Sequence, residues 1–249
     1  MCASPIILAS DTVAGTVTPY HSDKTHGTVI SGLIQPKGII ADSDGSLLYA
    51  AVGDTGSGSG GVLRFDRGGN KAVFIGGLNG PSALALDQVG NLYVVSTGDK
   101  TLTKYNSVGS VINVVASNLV LAEPFLTFDS LGNLYLSETR DVKMYSPNGT
   151  GSIFLPAVLN FVSGVAFTRG GRAFVGLQNS GSIIGLTGGG IVPPATPLNF
   201  SPGALGFTES DGKLYAACGQ TINRYGLDGK TGEIFAGNLK GTRYLAVTG

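Results

Sequence analysis

The chain has 249 residues, 42% of them hydrophobic and 13% charged, with 40 glycines, no tryptophan, and 16 basic residues balanced by 16 acidic ones. A neutral, charge-poor chain speaks against electrostatic binding of nucleic acid, which needs clustered Lys and Arg. The apolar content speaks against disorder, and the glycines have no three-residue period, which excludes collagen.

Residues 1–10 carry no basic n-region, and their apolar core is too short for a secretory signal. Either the chain is cytosolic or a leader has been trimmed, and an extracytoplasmic location is favoured in the second case. Cys2 beside Met1 fits a trimmed lipoprotein or a chance residue. No run approaches the roughly 18 apolar residues of a membrane helix. Residues 6–9, 15–20 and 28–31 read as three short strands. His21 and His26 fall in the loop before the third of these and are expected at the surface. No Cys or carboxylate pair completes a metal set around them.

From residue 36 a phrase recurs: a turn, usually with Pro, an apolar strand, Asp or Thr, Gly, then a strand with an aromatic. Its clearest copy is Pro81-Ser-Ala-Leu-Ala-Leu-Asp-Gln-Val-Gly-Asn-Leu-Tyr93, and the others span 36–49, 124–135, 163–174 and 202–215. Each copy continues into a third strand ending at Phe65, Tyr105, Tyr145, Leu186 or Tyr225. A fourth short strand follows at 73–74, 114–115, 153–154, 191–192 or 234–235. Leu33, Leu78, Leu119, Leu159, Leu198 and Leu239 then recur 39 to 45 residues apart.

Residues 244–248 read as a first strand with nothing after it, and the three N-terminal strands supply what is missing. Four short strands at a period of about 40 mark a β-propeller. The expected fold is all-β, a six-bladed β-propeller in one domain over residues 1–249. Its blades lie at about 36–80, 81–122, 123–161, 162–200, 201–241, and 242–249 plus 1–35. The composite blade joins the chain ends and removes a free sheet edge. The core is expected between blades, at Leu84, Leu86, Tyr93, Val94, Leu134, Tyr135 and their equivalents. The Gly-rich stretch 53–61 lacks the Gly-Lys-Ser/Thr ending of a phosphate loop. Asn148-Gly-Thr150 and Asn199-Phe-Ser201 match glycosylation sequons.

The stretch Gly90-Asn-Leu-Tyr-Val-Val-Ser-Thr-Gly-Asp-Lys-Thr-Leu-Thr-Lys-Tyr105 resembles an NHL repeat. More widely, the chain is similar to the six-bladed calcium-dependent phosphotriesterase-like superfamily. That group includes the gluconolactonase, paraoxonase and strictosidine-synthase families. The resemblance implies a site at one face of the propeller, on its axis. In the metal lactonases of that group, carboxylate and Asn/Asp side chains at the starts of the first strands hold a calcium-type ion. The matching positions here are Lys37, Ser82, Pro124, Ser163, Gly203 and Arg243, and none is Asp, Asn or Glu. No metal and no cofactor are therefore expected.

The next ring, at the ends of the second strands, reads Ser10, Val52, Ser96, Glu138, Leu177 and Cys218. Glu138 is read either as a catalytic acid or base or as the ion-pair partner of Arg140, Lys37 or Arg243. Glu123, just before the third blade, is a further candidate. Lys37 and Arg243 are read as anion-binding groups or as solvated loop charge. Tyr244 replaces a small residue of the other first strands and narrows the channel, donates a hydrogen bond, or plugs the closing blade. Ser82, Ser96 and Cys218 complete the candidate substrate-binding set. Cys218 has no His beside it to make it a nucleophile. Cys2 and Cys218 are expected at opposite faces, hence as free thiols.

The favoured reading is a monomeric binding propeller. It takes a small, anionic ligand or a peptide or glycan at its central pocket, without metal, nucleic acid or a membrane span. Two alternatives stand beside it. One is a metal-independent cyclase, lyase or condensing enzyme that uses Glu138. The other is a structural interaction module.

Overall fold

A computed structural model describes residues 6–53, 58–155, 162–168, 170–177, 182–186, 198–199, 206–227 and 232–248. Cys2, Leu159, Ile191, Val192 and Gly203, named above, lie outside the described residues. The chain opens with β1 (Ile6–Asp11) and β2 (Thr16–Tyr20). The first full blade is β3 (Ile39–Ala41), β4 (Leu47–Val52), β5 (Gly60–Asp66) and β6 (Lys71–Leu78). The second is β7 (Pro81–Leu86), β8 (Leu92–Ser96), β9 (Thr101–Tyr105) and β10 (Val111–Ala116). The third is β11 (Phe125–Phe128), β12 (Leu134–Ser137), β13 (Val142–Tyr145) and β14 (Gly151–Leu155). The fourth is β15 (Val162–Phe167), β16 (Ala173–Leu177), β17 (Ser182–Leu186) and β18 (Leu198–Asn199). The fifth is β19 (Gly206–Ser210), β20 (Lys213–Ala217), β21 (Ile222–Gly226) and β22 (Gly232–Ala236), and β23 (Thr242–Thr248) ends the chain. Each of these five blades is a four-stranded antiparallel meander. No helix among the described residues is long and apolar enough to cross a membrane.

The sixth blade is composite. Strand β1 pairs with β2 on one side and with β23 on the other, in register from Ile6↔Thr248 to Asp11↔Thr242. Both chain ends thus share one sheet, as the repeat count requires.

One expected element is absent from this blade. The segment 28–31 is no strand, and the sheet has three strands, with the following segment joined to β2 by the isolated bridges Val17↔Ile30 and Tyr20↔His26 and not by a continuous ladder. Pro19 lies between these bridges in β2 and has no N–H to donate, so the ladder cannot run on. In the fourth blade, the strand that pairs with β17 is Leu198–Asn199. The expected segment 191–192 lies outside the described residues.

Local chemistry explains the tight turns. In Asp87-Gln-Val-Gly-Asn91, Oδ1 of Asp87 accepts from the Asn91 backbone N–H at 2.8 Å, and Oδ2 accepts from Asn91 Nδ2 at 2.8 Å. Asp129 and Asn133 repeat both bonds. The glycine before each Asn has φ of +84° and +80°, a region closed to most L-residues. At the axis the constraint is contact. A Cβ on Gly38 would lie 2.4 Å from the Ser82 carbonyl oxygen, which accepts the Gly38 N–H at 2.6 Å.

The core follows the ring. Six apolar clusters fill the six gaps between consecutive blades. Leu8, Val17, Ala50 and Phe65 close the gap between the composite blade and the first. Val62, Leu84 and Val94 fill the next gap, and Leu102, Leu126 and Leu136 the one after. Val142, Val165 and Val175 follow, then Phe174 and Leu214, and Ile7, Tyr215 and Leu245 return to the composite blade. Leu84, Val94, Leu134 and Tyr135 are buried as expected, while Leu86 and Tyr93 are half-buried. Each fully buried Leu or Val contributes about 1.5–3 kcal/mol.

Candidate functional site

The first strands β3, β7, β11, β15, β19 and β23 contact one another in sequence around the axis. They surround a cavity of about 180 Å³. Among the described residues its lining comes from five of the six blades and includes Gly38, Ile39, Ala83, Phe125, Thr208 and Tyr244. No charged side chain among the described residues lines it.

The polar groups stand where the first strands begin. Glu123 lies in the connection that leads into β11 of the third blade, and Arg243 and Tyr244 open β23 of the composite blade. In a ring of six these blades face each other across the axis. Nη1 of Arg243 is 2.6 Å from Oε1 of Glu123, with the two side chains 39% and 33% exposed. The Tyr244 hydroxyl donates to Oε2 of Glu123 at 3.4 Å. Residues 120 positions apart therefore close a bridge over the channel. Tyr244 is buried, and its burial together with the Glu123 charge pushes the phenol up from its ordinary value, so it stays a proton donor.

Lys37 sits beside this bridge. Ser10, the register partner of Tyr244, donates from Oγ to the Lys37 carbonyl at 2.7 Å. Lys37 is half-buried, and its ammonium forms no ion pair among the described residues. Ser82 Oγ donates to the Val95 carbonyl at 3.3 Å. The hydroxyls of Ser163 and Thr242 are buried with no hydrogen-bond partner among the described residues. Ser137 Oγ accepts the Phe125 backbone N–H at 2.8 Å and so anchors the start of β11.

Glu138 is elsewhere. Its Oε1 is 2.6 Å from Lys143 Nζ, an ion pair. Its Oε2 accepts the Val120 backbone N–H at 3.3 Å. The partner is Lys143 on β13, where the sequence offered Arg140, Lys37 or Arg243. The reason is hairpin geometry: β12 and β13 run side by side, and Lys143 pairs with Leu136 two residues before the glutamate. Burial alone would lower the Lys143 ammonium, but the bond and charge of Glu138 outweigh it and raise it. Burial, then the Glu138 charge, raises the nearby Asp141 carboxyl. Glu138 is not among the residues that line the 180 Å³ cavity.

This pair occupies a place that recurs. Aligning the repeats sets Glu138 and Lys143 against Ser96 and Thr103 in the second blade, and against Cys218 and Asn223 in the fifth. Ser96 is buried opposite Pro81 and Thr101 in the ladder. Asn223 Nδ2 lies 3.7 Å from Cys218 Sγ. Burial pushes the Cys218 thiol up to about 11, which opposes thiolate chemistry. Cys218 is a free thiol. The signal for Lys143 lies in the second- and third-strand positions taken together, where a lysine accompanies the glutamate in place of Thr103 or Asn223.

His21 is half-buried and His26 is exposed. Among the described residues, no group of three or more His, Cys, Asp or Glu is placed to hold a metal ion. The ring positions do not fit the calcium site of the metal lactonases. Two of them are cationic, and the carboxylate that reaches the mouth, Glu123, is already neutralised by Arg243.

No family model matches the chain, and no curated protein matches it in sequence. Solved structures do. A chain from the crystal structure of a nidogen/laminin complex has a TM-score of 0.82 at 15% identity, covering 98% of this chain and 98% of that one. A protein assigned as a gluconolactonase has a TM-score of 0.71 at 16% identity, with 86% and 81% covered. Virginiamycin B lyase from Staphylococcus aureus has a TM-score of 0.61 at 13% identity, with 80% and 69% covered. At such identities the likeness is one of fold: this chain is a six-bladed β-propeller, the architecture implied by the repeats that residues 90–105 resemble.

Proposed function

We propose that the chain is a binding propeller that recognises an anionic group at the mouth of its central channel. Arg243 and Lys37 are its cationic contacts and Tyr244 is its hydrogen-bond donor. One observation carries this reading. Arg243 is held over the channel by a carboxylate from the opposite blade, and both groups remain partly open to solvent. Nη1 of Arg243 meets one carboxylate oxygen at 2.6 Å, a charge-assisted contact that supports recognition of a ligand anion at the same place. A ligand carboxylate or phosphate can exchange with Glu123 at modest cost, because half-exposed ion pairs contribute only about 0–1 kcal/mol.

The solved structures include one from a complex of two proteins and one of a lyase, so they do not choose between binding and catalysis. The site favours binding. Among the described residues, no catalytic acid or base stands free in the channel lining. The Glu138 carboxylate is committed to Lys143 and Val120.

Thermal unfolding with added acetate, succinate, phosphate and sulfate tests the reading. An anion at free concentration L that binds the folded state stabilises it by RT ln(1 + L/Kd), so Tm rises with the logarithm of anion concentration once that exceeds Kd. The rise is expected for the unaltered chain, reduced in Lys37→Gln and lost in Arg243→Gln. If no anion raises Tm specifically, or if Arg243→Gln responds like the unaltered chain, the reading is wrong.

A further inference from the structure

We infer that the ligand is a small carboxylic acid with an apolar body the size of about one ring, whose carboxylate takes the place of Glu123 on Arg243. This rests on the anion-binding reading above and adds the chemical class.

Glu123 serves as the template. Its two oxygens lie 2.6 Å from Arg243 Nη1 and 3.4 Å from the Tyr244 hydroxyl. A ligand carboxylate in the same place would meet the same two donors. A side chain on the connection before β11 holds this position, so a free carboxylate can compete for it.

What lies against the donors sets the rest of the ligand. Tyr244 and Phe125 belong both to the bridge region and to the wall of the 180 Å³ cavity. Ile39, Ala83, Leu126 and Ala246 continue that wall, and among the described residues its other polar side chains are Thr127 and Thr208. A body lying there must shed its water, so a sugar or nucleoside would leave hydroxyls without partners. Size narrows the class further. Apolar cavities of about 150 Å³ hold a benzene ring, whereas drug-sized ligands occupy about 300 Å³ or more. The cavity therefore takes one ring or a short branched chain. It excludes a peptide, a nucleotide or a long fatty acid.

The small residues at the first-strand starts make this room. Gly38 and Ala83 stand where Tyr244 stands in the composite blade. Gly38 accepts no Cβ, because the Ser82 carbonyl would be 2.4 Å away. The close approach of backbones at the axis thus leaves a narrow, apolar shaft under a single acid-binding rim.

Calorimetric titration of the full chain and of Glu123→Gln with benzoate, acetate and inorganic phosphate decides it. Benzoate is expected to bind both proteins at least about tenfold tighter than acetate, since a buried ring contributes more than the roughly 1.4 kcal/mol of one decade. Glu123→Gln should bind benzoate about tenfold tighter than the unaltered chain, because its internal competitor has lost its charge. Equal affinity for acetate and benzoate, or tighter binding of phosphate, overturns the class while leaving the anion site standing. No gain in Glu123→Gln overturns the displacement of Glu123. Absence of binding by all three anions overturns this inference and the reading beneath it together. Circular dichroism shows whether Glu123→Gln is folded. Should it not be, benzoate against acetate on the unaltered chain still decides the class.

Discussion

Two glutamates of the third blade meet opposite fates. Glu138 stands at the end of β12, is 5% exposed, and is bound to a lysine of its own sheet. Glu123 stands before β11, is about one-third exposed, and is bound to an arginine of the opposite blade. The buried one sits in a slot that other blades fill with Ser96 and Cys218, so its charge must be compensated locally. The open one spans the axis, where exchange with a solute is physically possible. Burial alone thus does not say which charge can meet a solute, whereas reach across the ring sets a charge over the channel.

Lys143→Ala should break this contrast most severely. It strands a buried carboxylate, and removal of one partner from such a pair costs about 3–5 kcal/mol. Because Lys143 is one-third exposed, a value near the lower end is expected in urea unfolding, with anion binding at the mouth unchanged. Glu138→Gln should cost less, about 1–2 kcal/mol, because the orphaned ammonium can turn to water. If that substitution instead abolished a turnover while the fold survived, Glu138 would become the catalytic residue and the binding reading would fall.

Arg243→Gln should change stability by no more than about 1 kcal/mol, since its pair is half-exposed. Its large effect should be on anion-induced stabilisation. A stability loss as great as that of Lys143→Ala would make the trans-axial bridge a structural clamp.

The smallest effect concerns a third charged group, on the outer rim, where Glu233 bonds both Arg224 and Lys24 and so ties the fifth blade to the composite one. Bonds to Lys24 and Arg224 hold the Glu233 carboxyl down from 4.5 to about 2. A carboxylate lowered in the folded state contributes stability above pH 4.5 that disappears as pH falls through about 2. Denaturation midpoints across that window should therefore fall less steeply in Glu233→Gln than in the unaltered chain. Identical slopes would mean the rim group adds nothing.

Much of the architecture was legible because a propeller repeats its chemistry. The phrase from Pro81 to Tyr93 returns blade after blade, and β23 visibly lacks the partners that β1 and β2 supply. The exception is instructive. Residues 28–31 carry strand-forming side chains, yet Pro19 on the neighbouring strand withholds the N–H that a ladder would need. The site was less legible. Lys37, Arg243, Tyr244 and Glu123 were recognisable one by one, but nothing in their spacing marks Glu123 as the partner of Arg243. Glu138 drew attention as the lone charge in its ring, while its partner lay in a different column of the repeat.

The sequence by itself determined the number of blades, the meander of the five full blades and the joining of the two chain ends. These depend on periodic apolar residues and turn chemistry, which act over a few neighbouring residues and recur. Only the tertiary structure decided which charges meet. Closing the ring brings residues half a circumference apart to within hydrogen-bond distance, and side-chain length, not sequence separation, selects the pair.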